Sequence, residues 1–242
     1  MKSEETGKTD TIFSPAEIER ESMRIIGAEL SARGVALPPE REAIVKRVIH
    51  ATADFDYIKN LYFSPNAAEW GVNAVRGGVI VTDSNMALAG ISKPALQRLD
   101  AAAYCLIAED AVALEARKRG ITRAAVSMEY ALKRYPGAVF AIGNAPTALL
   151  RLAAAIEEDG ARPALVIGAP VGFVHVTESK ERIRAACTRF QIPVIAAMGR
   201  KGGSTVTAAV CNAILYSAAG MLDPARRMSY TPSEQCKIER EP

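Results

Sequence analysis

His50 is one of only two histidines in the chain, and it stands four residues before Asp54 in the run Val48-Ile-His50-Ala-Thr-Ala-Asp-Phe55. Imidazole changes charge near neutral pH, and a carboxylate one helical turn away can hold one ring nitrogen while the other meets a reactant. Beside the apolar Val48 and Ile49, where water is scarce, such a group offers a general acid of pKa about 6.5. A histidine near a helix end is equally readable as an ordinary terminal cation. Three further segments point to anion chemistry: Ala141-Ile-Gly-Asn-Ala-Pro-Thr147, Ile167-Gly-Ala-Pro-Val-Gly-Phe173 and Gly199-Arg-Lys-Gly-Gly-Ser204. Each follows a short aliphatic run and leads into a helical pattern, so each is a strand-to-helix turn that offers backbone N–H groups at one edge of a sheet. Glycine and proline also punctuate such turns for geometry alone, but three together favour a ligand. The third turn carries Arg200 and Lys201 on Gly202 and Gly203 and is closed by Ser204. It lacks the order of a phosphate loop, and no Gly-x-Gly-x-x-Gly occurs, so nucleotides are set aside in favour of carboxylates. Asp83 is either a cap for the helix from Ser84 or a polar pocket group.

These residues need elements to position them. Ser14-Pro15-Ala16-Glu17 supplies a cap, a proline and a capping-box carboxylate, predicting a helix to about residue 32. Pro38-Pro39-Glu40 opens a second helix with a buried stripe of Ile44, Val45, Val48 and Ile49, and places His50 near its C-terminal end. Ser64-Pro65 opens a third. Strands are expected at about 78–82, 102–107, 138–142, 164–168 and 194–198, mostly separated by helical patterns. The alternation implies one α/β domain: a three-layer α/β/α arrangement of a mainly parallel five-stranded sheet, plus the N-terminal helices. Periodicity does not give the pairing order. Residues 1–12 and 223–242 are expected to be loose tails around a domain of 13–222.

At 242 residues, 49% of them hydrophobic and 24% charged, the chain suffices for one large domain. Its net charge of +3 is dispersed among acidic residues, which argues against nucleic acid and suits a small acidic ligand. Four scattered cysteines without Cys-x-x-Cys argue against structural zinc or a disulfide framework and for a reducing cytoplasm. No run approaches a membrane span, and the first ten residues lack the apolar core of an export signal.

Taken together, the His50 run, Thr82-Asp-Ser-Asn-Met86 with Gly90-Ile-Ser-Lys93, Ala141-Ile-Gly-Asn-Ala-Pro-Thr-Ala148, Gly168-Ala-Pro-Val-Gly-Phe173, Glu178-Ser-Lys180 and Gly199-Arg-Lys-Gly-Gly-Ser204 resemble the precorrin-8X methylmutase family. The six motifs stand in the family's order across about residues 12–220. The resemblance implies a flavodoxin-like fold, a homodimer without a cofactor or bound metal of its own, and a step of cobalamin biosynthesis that moves a methyl group from C11 to C12 of a corrin precursor. It makes His50 the catalytic group, acting on the ring C nitrogen. It further implies a substrate site drawn from Ser22, Asp83, Ser92, Lys93, Arg123, Gly143, Asn144, Thr147, Gly172, Phe173, Arg200, Lys201, Gly202, Gly203 and Ser204.

The two lines of reading meet in the substrate, whose many acetate and propionate arms call for separated anion sites around a broad apolar floor. Each helix N-terminus contributes about 0.3–1 kcal/mol to a carboxylate, so a strongly basic protein is not required. Lys93, Arg123, Lys180, Arg200 and Lys201 are candidates for further arms, each also readable as a surface charge; Asn144 and Thr147 could equally cap their helix. The role of His175 is left open, as is the presence of cobalt in the substrate. Two alternatives stand beside the enzyme: a corrinoid carrier without catalysis, and an unrelated flavin-binding domain, for which the turns give no support.

Overall fold

The computed structural model describes residues 14–227. In chain order the elements are α1 (Pro15–Ala32), α2 (Pro39–Thr52), α3 (Tyr57–Asn60), β1 (Leu61–Phe63), α4 (Ala67–Ala74), β2 (Val79–Thr82), α5 (Asn85–Gly90), α6 (Lys93–Arg98), β3 (Ala102–Cys105), α7 (Asp110–Arg119), α8 (Arg123–Arg134), β4 (Val139–Ile142), α9 (Pro146–Glu158), β5 (Leu165–Gly168), α10 (Val176–Arg189), β6 (Val194–Ala197) and α11 (Ser204–Ala219). The capping box forms as expected: Glu17 N–H donates to Ser14 Oγ at 3.3 Å and Ser14 N–H to Glu17 Oε2 at 2.7 Å.

The sheet has six strands in the order β1-β6-β5-β4-β2-β3, one more than expected. The five anticipated strands are all parallel, while β1 pairs antiparallel with β6. Three residues are too short to display an alternating pattern, and the Ser64-Pro65 pair that follows does not open a helix. Instead Ser64 extends the pairing: its N–H donates to Val194 O and its Oγ accepts from Val194 N–H. α4 begins only after Asn66, which takes a left-handed φ of 57°.

Counted from β2, the parallel strands run 2-1-3-4-5, the flavodoxin-like order. The chain lays β3 on one side of β2 and then returns to lay β4 on the other, so the winding reverses between β2 and β4, the point beyond whose carboxyl ends sheets of this kind place their ligands.

Side chains alternate between two apolar layers. Ile80, Val139, Ala141, Leu165, Ile167 and Ile195 face α2, α4 and α11, while Val81, Phe140, Ile142, Val166 and Val194 face α8, α9 and α10. α11 is apolar around most of its circumference and is buried along nearly its whole length, packed against α2, α4, α5 and α6. It therefore fixes the end of α2 that carries His50. Of the expected C-terminal tail, Pro224–Arg227 forms a 3-10 helix held to α1 by Arg227 on Glu19 at 2.7 Å. The rest of that tail and the expected N-terminal tail lie outside the described residues.

Candidate functional site

The loops after β2, β4, β5 and β6 converge at the carboxyl edge of the sheet, as the sequence led us to expect, but they do not all offer free donors. Asp83, at the end of β2, is fully buried and accepts from Gly143, Asn144 and Ala145 N–H at 2.8, 2.8 and 2.6 Å. The first anticipated anion nest is thus filled from within, and Asp83 is neither a helix cap nor a reachable pocket group. Burial pushes its carboxyl up and the three amide donors pull against that shift. Gly143 leaves no room for a side chain, since a Cβ would lie 2.6 Å from Thr207 Oγ1. Asn144 exposes its side chain. Thr147 shares a 2.8 Å hydrogen bond with Thr122, the cap of α8, which sets it beside the exposed Arg123.

The turn after β6 is different. Gly203 N–H donates to Ala169 O at 2.7 Å and Gly172 N–H to Arg200 O at 3.3 Å, tying this loop to the one after β5. Gly202 is pressed so close that a Cβ would meet Ala169 O at 2.2 Å. Ser204 is buried and shares a 2.9 Å bond with Ser84. Lys180, expected as a carboxylate ligand, is instead fully buried beneath the loop, its Nζ donating to Gly199 O and Lys201 O at 2.8 Å each. Among the described residues the N–H groups of Arg200, Lys201 and Gly202 and those of Ser204, Thr205 and Val206 at the start of α11 find no acceptor, so this nest is open.

Around it lies an exposed apolar surface of Met86, Val171, Phe173 and Val174, with the Arg200 guanidinium 5.4 Å from the Phe173 ring centre. Only Phe173 of these four was anticipated. The available signal was the Val-Gly-Phe-Val run, which continues apolar where a solvated loop would turn polar.

His50 lies on the exposed side of the last turn of α2. Its Nδ1 pairs with Ser22 Oγ of α1 at 2.7 Å, not with Asp54, and Nε2 has no partner among the described residues. Asp54 is diverted because α2 ends at Ala53 in a left-handed conformation, turning Asp54 toward the sheet edge. There Asp54 and Asp56 both hold Lys201 Nζ, at 2.6 Å each, and that bond keeps the Asp54 carboxyl below its usual range. This pair links the His50 end of α2 directly to the glycine turn.

The imidazole is pushed below 6.5 by partial burial first and then by Arg47 and Arg227, with Glu19 opposing. Glu19 is itself bonded to Arg47 at 2.5 Å and to Arg227 at 2.7 Å. The charged ring is thus less favoured than the sequence reading of a free imidazole implied.

Ser92 caps α6 and its N–H donates to Asn212 of α11 at 2.8 Å, while the neighbouring Lys93 is exposed and has no partner among the described residues. A separate cavity of about 740 Å³, lined by Arg119, Glu129, Lys133, Arg151 and Arg162, opens at the amino ends of the strands, remote from this edge. Among the described residues no group of three or more ligating side chains is placed to hold a metal ion, and no helix is long and apolar enough to cross a membrane.

The sequence model of the family described as Precorrin-8X methylmutase matches residues 17–217. A cobalt-precorrin-8 methylmutase of Priestia megaterium is 42% identical over 201 residues, covering 83% of this chain and 87% of that one. Another of that name from Salmonella typhimurium is 44% identical over 180 residues, 74% and 82% of the two chains. The solved precorrin-8X methylmutase of Thermus thermophilus superposes with a TM-score of 0.74 at 38% identity, over 84% of this chain and 98% of that one.

Proposed function

Since the chain belongs to the precorrin-8X methylmutase family and is thus an isomerase of corrin biosynthesis, we propose that it moves the C11 methyl group to C12 of precorrin-8X or its cobalt form at the edge occupied by His50 and the open amide turn. The product is the corresponding hydrogenobyrinate or cobyrinate. The migration is a suprafacial shift that consumes no electrons and no net proton, so the protein must supply only a polarised π system and a fixed ring conformation. His50 supplies the first. We assign the Ser22 hydroxyl as the donor in its 2.7 Å contact with Nδ1, which leaves the ring proton on Nε2 to be given as a hydrogen bond to the ring C nitrogen. A group of this kind contributes about 10²- to 10⁴-fold.

Conformation is supplied by the apolar floor of Met86, Val171, Phe173 and Val174 and by anchors for the acid arms. The open amides of the 200–202 turn, with Arg200, take one arm, and Lys93 and Arg123 take others. Lys201 contributes less through its ammonium, which Asp54 and Asp56 already hold. We assign the activity to residues 13–222, working in the cytoplasm, where the three described cysteines stay unpaired. We also infer a homodimer: Ile18 and Ile25 flank Ser22 on one face of α1 and are 56% and 50% exposed, an apolar stripe that a second copy would cover beside the site.

The observation that carries this reading is the unpartnered Nε2 of a Ser22-held imidazole on the helix whose end is joined to the open amide turn. The relatives' names give no support to a carrier without catalysis. Incubating the purified chain with precorrin-8X and following corrin absorbance tests the proposal. Conversion supports it; stoichiometric binding without conversion would establish the carrier instead.

A further inference from the structure

A lysine that is wholly buried normally faces a carboxylate, because an unpaired ammonium costs several kcal/mol to remove from water. Lys180 has none. Its exposure is 0%, no acidic side chain pairs with it, and its two acceptors are the carbonyls of Gly199 and Lys201. Burial pushes its ammonium down to about 8, so it stays largely charged at pH 7. A fold that needed only to fill this space could use methionine; one that retains a cation here uses it on those carbonyls.

What that does follows from peptide geometry. In a trans peptide the C=O of one residue and the N–H of the next point in opposite directions, and no cis bond is present among the described residues. With the Gly199 carbonyl drawn toward Lys180, the Arg200 N–H is turned away from it; with the Lys201 carbonyl drawn the same way, so is the Gly202 N–H. The carbonyl between them, that of Arg200, accepts from Gly172 N–H. Three consecutive carbonyls are therefore engaged within the protein, and the amides beyond them are the ones left without acceptors.

We propose that Lys180 is a positioning residue, which turns the Arg200 and Gly202 amides outward to receive a carboxylate arm of the substrate. The inference rests on the corrinoid reading above and deepens it. It also accounts for the neutralised Lys201, because attraction for the arm comes from the amides and from the buried cation beneath them rather than from that side chain. A carboxylate seated on the turn supplies the counter-charge that Lys180 lacks in the free protein.

The test compares the full-length chain with Lys180→Met and Lys180→Arg, using turnover of precorrin-8X and amide shifts in ¹⁵N-labelled protein titrated with hydrogenobyrinate. Lys180→Met should raise KM about tenfold while kcat stays within about threefold, because an anchor is loosened and His50 is untouched. Lys180→Arg, which keeps the charge and the donors, should fall between. In the wild-type chain the Arg200 and Gly202 amides should shift on adding product. Normal wild-type turnover with those amides unmoved, or an unchanged KM in a folded Lys180→Met, overturns this inference alone. A wild-type chain that binds no corrinoid overturns the functional reading and this inference with it. If Lys180→Met does not fold, the wild-type amide shifts decide.

Discussion

The chemistry attributed to His50 depends on neighbours that sequence spacing did not identify. Asp54 stands one turn away in the chain, yet the left-handed Ala53 ends the helix between them, and Ser22, twenty-eight residues earlier, takes the ring nitrogen instead. Side-chain partners across two packed helices depend on how those helices are rotated, which no local spacing encodes. The identity of the candidate group was legible; its hydrogen-bond partner was not. Glu19 is the one acidic influence holding the imidazole up against Arg47 and Arg227. Glu19→Gln should therefore lower the His50 pKa further, since it removes a negative charge and leaves both guanidinium groups uncompensated. A proton NMR titration reads this cleanly with only two histidines in the chain; a pKa that rises or stays fixed contradicts the assignment.

Among the elements, the five parallel strands were legible because aliphatic runs bounded by glycine and proline mark them, and α1 because its capping residues form the bonds their spacing implies. β1 was not, since three residues joined to the sheet edge owe their conformation to β6. Nor could the turns be told apart. All three read as amide nests, but whether a nest is open depends on whether another strand delivers a carboxylate to it, and β2 delivers Asp83 to the turn after β4. That contact pins the two strands at the point where the sheet changes direction. Asp83→Ala would strand the buried Gly143 amide and leave the part-buried Asn144 and Ala145 amides without their acceptor, and should destabilise the protein by about 1–3 kcal/mol. An unchanged urea midpoint would contradict this role.

At the scale of the molecule, composition set the class and the mild net charge, and the ordered motifs carried the resemblance, but strand order came only from the structure because hydrophobic periodicity does not name a strand's neighbour. The architecture puts an imidazole, an open amide turn and an apolar floor at one end of the sheet, and leaves Ile18 and Ile25 exposed beside them. Sedimentation equilibrium should give twice the 25.8 kDa chain mass, reduced to a single copy by Ile18→Glu with Ile25→Glu; a monomeric wild type would remove the dimer from the account. The decisive assay joins turnover to binding in His50→Asn. If the imidazole polarises ring C while the rest of the edge holds the macrocycle, this variant should bind hydrogenobyrinate within a few-fold of wild type and convert precorrin-8X about 10²-fold or more slowly. A folded His50→Asn that turns over at the wild-type rate contradicts it.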